Sequence, residues 1–183
     1  MKSKLVILIM LSGFLTNAQE TSQSNYTQKV WRVNFVNPGV ELELATGKSS
    51  TFSMGLGVGY GGSYPDLSYD NSNGFQYLIS PFLDLQEKWF YNFEKRVSKD
   101  KVITNNSGNF ISARILLRGN SIASNFDRTS DLDFAFGPTW GIQRNYGKNF
   151  HLLFDVGPIY YMDTNGNGNI FPIMLQINLG FDL

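Results

Sequence analysis

One histidine, His151, is the only imidazole in the 183 residues, and the chain has no cysteine. With one imidazole and no thiol, a histidine-activated nucleophile would have to be a hydroxyl beside His151. His151 stands beside a tight turn, and no G-x-S-x-G elbow accompanies it. We therefore expect no catalytic residue. The missing cysteines also exclude a thioether lipid anchor and disulfide stapling.

A second candidate is Asp163, Asn165, Asn167 and Asn169, spaced as in the first half of a calcium loop, with Gly168 at position six and Ile170 at position eight. Position twelve, where a bidentate glutamate belongs, is Met174. One carboxylate holds calcium poorly, so we read a hairpin connection that uses Asn and Gly for positive φ, and no metal site. Gly55, Gly57, Gly59, Gly61 and Gly62 superficially suggest a phosphate loop. The first three alternate with large apolar residues and no helix follows, so they belong to a strand. No cofactor is implied. Lys95, Arg96, Lys99 and Lys101 form a basic cluster offset by Glu94 and Asp100, read as a solvated turn in preference to a contact with lipid headgroups or a periplasmic partner.

The elements that carry these residues have a period of two. Val40, Leu42 and Leu44 alternate with Glu41 and Glu43 over residues 39–45; Phe52, Met54, Leu56, Val58 and Tyr60 alternate with Ser53 and glycines over 51–60. Over 150–162, Phe150, Leu152, Phe154, Val156, Pro158, Tyr160 and Met162 oppose His151, Leu153, Asp155, Gly157, Ile159 and Tyr161. The last strand, 171–183, sets Phe171, Ile173, Leu175, Ile177, Leu179, Phe181 and Leu183 against Pro172, Met174, Gln176, Asn178, Gly180 and Asp182. Further strands are expected at 75–90, 110–119 and 131–145. Residues 30–36, ending at the turn Asn37-Pro38-Gly39, supply an eighth, unless 31–45 form one long bent strand. The expected fold is all-β: a closed up-and-down antiparallel barrel of about eight strands.

The connections at 47–50 and 146–149 are tight, whereas those at 61–74, 119–130 and 163–169 read as longer and polar. Residues 91–109 break this asymmetry on the short-turn side, where Asn92 is expected to cap a short helix with Phe93 and Val97 packed one turn apart.

Composition narrows the setting. Fifteen basic residues balance fifteen acidic ones, so nothing favours nucleic acid. A basic start, an apolar run over 5–15 and small residues near position 18 read as a signal peptide over 1–18. A tail over 19–29 and a barrel domain over 30–183 follow. The apolar run is shorter than the roughly 20 residues of a membrane helix.

On a soluble barrel the polar face of each strand would be rich in Lys and Glu. Here that face carries Gly55, Gly57, Gly59, Ala135, Gly137, Thr139 and Gly141, with Glu41, Glu43, Asp84, Arg114, Arg118 and Asp155 as its few charges. Small residues suit the inside of a narrow barrel, where the two signs of charge can pair. Thirteen-residue strands at about 3.3 Å per residue, tilted about 40°, rise about 33 Å, sufficient for a hydrocarbon core of about 30 Å. Aromatic residues also gather at the two ends. Trp31, Trp89, Phe90, Tyr91, Phe93, Tyr146 and Phe150 lie at one; Tyr60, Tyr64, Tyr69, Phe75, Tyr77, Tyr160, Tyr161 and Phe171 lie at the other. These are candidate interfacial girdles.

Four segments carry a family resemblance: Asn37-Pro38-Gly39-Val40-Glu41-Leu42-Glu43; Trp89-Phe90-Tyr91-Asn92-Phe93-Glu94-Lys95-Arg96 with Asn106-Ser107-Gly108-Asn109-Phe110; Gly137-Pro138-Thr139-Trp140-Gly141-Ile142-Gln143-Arg144; and the final strand. Through them the chain resembles small outer-membrane β-barrel proteins of Bacteroidetes-type envelopes, broadly similar to OmpX- and OmpA-type barrels. The resemblance implies a cell outer membrane location with outer-membrane lipids as surroundings. It also implies recognition of the C-terminal strand by the barrel-assembly machinery, although Leu183 stands where a terminal aromatic is usual and Phe181 lies two residues before it. A structural or surface-interaction role without an open pore follows, any extracellular ligand being met by the outer loops. Two rivals are a soluble periplasmic barrel binding a small apolar ligand and a lipid-modifying outer-membrane enzyme.

Overall fold

The alternation produces nine strands in a computed structural model that describes residues 26–63, 76–125 and 130–183. They are β1 (Val30–Asn34), β2 (Gly39–Gly47), β3 (Ser50–Ser63), β4 (Gln76–Phe90), β5 (Gly108–Arg118), β6 (Ala123–Ser124), β7 (Asp133–Tyr146), β8 (Phe150–Asp163) and β9 (Gly168–Asp182). A five-residue helix α1 (Phe93–Val97) and a 3-10 turn (Thr104–Asn106) join β4 to β5. The signal peptide expected over 1–18, the tail up to residue 25, and Tyr64, Tyr69 and Phe75 lie outside the described residues.

Every paired strand is antiparallel to its neighbour. The order β3-β2-β1-β9-β8-β7-β5-β4 closes on itself through a further β3–β4 pairing, and β6 rests against the far end of β4. The fold is therefore a closed barrel of eight ring strands with one short addition. Closure leaves most backbone N–H and C=O groups paired along the ring.

The first strand is separate. Arg32 pairs with Glu41 and Asn34 with Gly39 in a β1–β2 hairpin, and Arg32 to Asn34 pair with Asp182 to Gly180 on the other side. One long bent strand over 31–45 is thus excluded, because residues 35–38 reverse the chain. β1 ends at Asn34 rather than Val36, since Phe35 to Pro38 form the turn itself. The connection expected over 163–169 is also shorter than its composition suggests: β8 runs to Asp163 and β9 begins at Gly168, leaving four residues with Gly166 at φ +86°.

The small residues of the inner face have a second cause beside the narrow lumen. A Cβ on Gly157 would lie 2.1 Å from the carbonyl oxygen of Pro138, and one on Gly137 would lie 2.3 Å from that of Pro158. Two backbones cross too closely there for any side chain.

In β9 the register against β8 shifts between Gly157 and Ile159, so that Met174 opposes Gly157 while Phe171 opposes Ile159. Directly opposed residues share a face, and Ile159 is buried. The bulge therefore turns Phe171 to the inner face, correcting the strict alternation that had placed it outward with Ile173.

Candidate functional site

Burial is inverted relative to an ordinary soluble domain. Most of the buried residues facing the lumen are charged or polar, while Leu56, Ile111, Trp140, Ile173, Leu175 and Ile177 stand exposed on the outside. Two polar clusters fill the lumen.

The lower cluster lies toward the short turns. Arg32, 0% exposed, reaches Asp182 through Nε at 2.8 Å and Glu41 through Nη1 at 3.1 Å, and also pairs with Glu43. Lys88 lies 3.3 Å from Glu41 and donates to Gln143 Oε1 at 3.0 Å. Neutral donors complete the carboxylates: the Gln143 amide to Glu43, the Thr51 hydroxyl to Glu43, and the amides of Asn105 and Asn145 to Asp182. An ion pair in low dielectric holds only if its remaining lone pairs are satisfied in this way.

The upper cluster centres on Arg114. Its Nε and Nη2 grip both oxygens of Asp84 at 2.9 and 2.7 Å, and Asp155 lies 3.5 Å from Nη1. Gln86 donates to Asp155 at 3.2 Å and to Ser112 at 2.8 Å, and Gln176 donates to Asp84 at 3.3 Å. A bidentate guanidinium–carboxylate pair fixes both groups in one plane. A cavity of about 20 Å³ lies beside it, bordered by Glu41, Asp84, Gln86 and Gln176. That is room for a single water.

The short-turn end is closed by the chain between β4 and β5. Phe93 of α1 is 1% exposed and stacks on Phe90 with ring centroids 4.6 Å apart; Phe110 and Leu153 complete the apolar plug. Phe90 and Phe93 are thus interior residues and not part of an aromatic girdle. Val97 is 45% exposed, so the expected Phe93–Val97 contact gives way to the stronger burial of Phe93 inside the barrel. Asn92 flanks α1 without a side-chain cap; its Oδ1 accepts the Asn109 N–H at 2.8 Å instead. Beyond the helix, Asn105 and Asn106 adopt left-handed backbone at φ +51° and +61°. This conformation is tolerated best by Asn among residues other than Gly. It brings the Asn105 carbonyl to Arg32 at 3.2 Å and the Asn106 carbonyl to Gln143 at 3.2 Å.

Of the interior charges expected from sequence, Glu41, Glu43, Asp84, Arg114 and Asp155 all join these clusters. Arg118 lies half-buried at the loop end of β5, opposite Phe82 and Asp133. Sequence reasoning missed Arg32, Lys88 and Gln143 as lumen residues; it put Asp182 on the polar face of the last strand without counting it among the interior charges. Their signal was present: Arg32 alternates with Trp31 and Val33, and Lys88 precedes the outward Trp89.

His151 is fully buried at the short-turn end, with Nδ1 3.5 Å from Asp182 Oδ1. Among the described residues neither ring nitrogen has a hydrogen-bond partner, so none of their hydroxyls is held against it as a nucleophile. The four-residue hairpin uses Asp163 as an internal acceptor: its Oδ1 takes the N–H groups of Asn165 and Asn167, both at 2.9 Å, and its Oδ2 takes the Asn167 amide at 2.9 Å. Asn169 lies in β9 opposite Tyr161. The calcium-like spacing therefore folds as a turn stabilised by its own aspartate.

Among the described residues no group of three or more His, Asp or Glu is arranged to hold a metal ion, and no helix is long and apolar enough to cross a membrane. The chain matches no family model, no curated protein and no solved structure.

Proposed function

We propose that this chain is an outer-membrane β-barrel protein without an open pore, serving a structural or surface-interaction role and catalysing no reaction. The observation that carries the reading is the inverted burial. Arg32, Glu43, Lys88 and Asp155 are sealed inside, while Leu56, Ile173 and Leu175 are about 60% or more exposed on the outer face. A soluble barrel with an apolar ligand would require the reverse, an apolar lumen under a charged exterior. In hydrocarbon an apolar exterior is stable, and a closed ring satisfies the backbone. The fourteen residues of β7 and of β8 rise about 35 Å at a tilt of about 40°, enough for the apolar core of a bilayer.

Salt-bridged side chains and the Phe93 plug fill the lumen, which supports a barrel that conducts nothing. The fixed, fully engaged charges, and a His151 with no hydroxyl against it among the described residues, argue against a lipid-modifying enzyme. Residues 1–18 serve as the export signal in this reading, and β9, with its outward Ile177 and Phe181, is the strand offered to the assembly machinery. The loop-end connections, including the Asp163 hairpin, form the surface open to extracellular ligands.

Fractionation tests the proposal. The protein should sediment with the outer membrane and resist extraction by alkaline carbonate. Recovery in the soluble periplasmic fraction would refute it.

A further inference from the structure

An open cleft of about 400 Å³ lies outside the barrel at its short-turn rim. Five cations line it: Lys95 and Arg96 from α1, Lys99 and Lys101 from the chain that follows, and Arg144 from the end of β7. The sequence shows four of these as a local cluster. The fold adds Arg144 from a strand more than forty positions away and gathers all five around one concavity.

Among the described residues none of the five forms an ion pair. The acid within α1, Glu94, turns to Lys48 at 3.4 Å, and Asp100 is not part of the cleft wall. The two guanidinium groups are oriented by neutral acceptors. Arg96 donates from Nε and Nη2 to the Val102 carbonyl at 3.0 and 2.6 Å, and Arg144 donates to the Gly108 carbonyl at 2.6 Å and to Asn109 Oδ1. They are held in place with their charge uncompensated. Partial burial pulls the Arg96 guanidinium below its ordinary range, as expected for a cation with no anion beside it.

Tyr91 is the aromatic residue of the cleft wall, beside Asn92 and Asn109. The Tyr91 hydroxyl accepts the indole N–H of Trp140 at 2.8 Å, and both rings are exposed. Trp140 lies in one outward row with Ile111 and Val156, so the Tyr91–Trp140 hydrogen bond links the cleft wall to the apolar outer face. Trp and Tyr beside an apolar band mark headgroup depth, and basic side chains there attract anionic lipid.

We propose that this cleft binds the phosphate of an anionic phospholipid in the leaflet at the short-turn end, Arg96 and Arg144 holding the phosphate while the acyl chains lie along Trp140 and Val156. The inference rests on the membrane reading above. The lysines supply further charge around the phosphate, and the planar guanidinium groups supply directed hydrogen bonds.

The test compares retention of phosphatidylglycerol and phosphatidylcholine by the full mature chain, folded in mixed vesicles and released for native mass spectrometry. Phosphatidylglycerol should be retained in preference by about fivefold or more. Lys95→Glu/Lys99→Glu, which removes two cleft cations that make no side-chain bond among the described residues, should abolish the preference while the heat-modifiable gel shift of the folded barrel persists. An unchanged preference in that variant, or equal retention of the two lipids by the parent, would overturn the proposal and leave the membrane reading intact. Binding of inorganic phosphate by the folded protein in phosphatidylcholine vesicles, with no preference between the two lipids, would also overturn it and assign the cleft to free phosphate. Failure of the parent to enter vesicles would instead sink the membrane reading itself.

Discussion

Arg32 on the first strand donates through Nε to Asp182 on the last at 2.8 Å, across the seam where the barrel closes. The two are separated by 150 positions in the chain, and the strand pairing at that seam is brief, running from Arg32 to Asn34 with one further backbone hydrogen bond at each end, Leu183 to Trp31 and Phe35 to Leu179. A buried ion pair therefore sits where the ladder is shortest. It also joins the seam to Glu41, Glu43 and the Asn105 carbonyl, so one guanidinium ties together β1, β2, β9 and the plug.

Replacing that guanidinium should leave three carboxylates short of a partner in a sealed lumen. Arg32→Met is expected to cost about 3–5 kcal/mol, read as a lowered urea midpoint for unfolding from vesicles. The double variant Arg32→Met/Glu43→Met should recover part of the loss, because it also removes one stranded charge. Equal stability of Arg32→Met and parent would show that the cluster does not support the closure.

The plug makes a contrast within one helix. Phe93→Ala should cost about 3–5 kcal/mol, since it empties a site packed by Phe90, Phe110 and Tyr26. Val97→Ala, one turn on and exposed, should stay within about 0.5 kcal/mol. Matching losses in the same unfolding assay would place Val97 in the plug after all.

The architecture was legible because a period of two leaves no room for a helical fold, and because Asn37-Pro38-Gly39 announces the first turn. Local rules failed where a distant contact outweighed them. Phe93 and Val97 have helix spacing, but the lumen offers Phe93 a deeper site than its neighbour does. Phe171 follows the outward series until a bulge whose register only β8 sets. Asp163 and its asparagines have the spacing of a metal loop, but a four-residue hairpin turns them on one another. Of the lumen charges, those on long clean strands were readable. Arg32 was missed because β1 is five residues long, and Lys88 because the carboxylate that holds it, Glu41, lies on β2; Asp182 stood on the polar face, but its partners on β1, β7 and the plug appear only in the fold.

Position 157 separates packing from polarity. Gly157→Ala adds one methyl, yet that carbon would sit 2.1 Å from the Pro138 carbonyl oxygen, and two strands must part to accept it. A cost of about 1–3 kcal/mol is expected. Gly166→Ala, whose Cβ would meet nothing within 4 Å, tests a different mechanism: its φ of +86° alone should make it unfavourable by about 1 kcal/mol. A Gly157→Ala variant as stable as the parent would contradict the close crossing of β7 and β8.

Orientation is tested in whole cells. A cysteine replacing Lys99, on the plug side, should resist an impermeant thiol reagent, whereas one replacing Asn165, in the exposed hairpin at the other end, should react. Labelling at position 99 with protection at 165 would invert the barrel.

The central claim is that Leu175 and its row meet hydrocarbon. With Trp31, Trp89 and Trp140 changed to Phe, a single Trp at position 175 reports its surroundings directly. In vesicles whose acyl chains carry bromine near their midpoint, its fluorescence should be strongly quenched, while aqueous iodide should have little effect. Efficient quenching by iodide with none from the brominated chains, in a folded protein, would mean that this face meets water and would contradict the account.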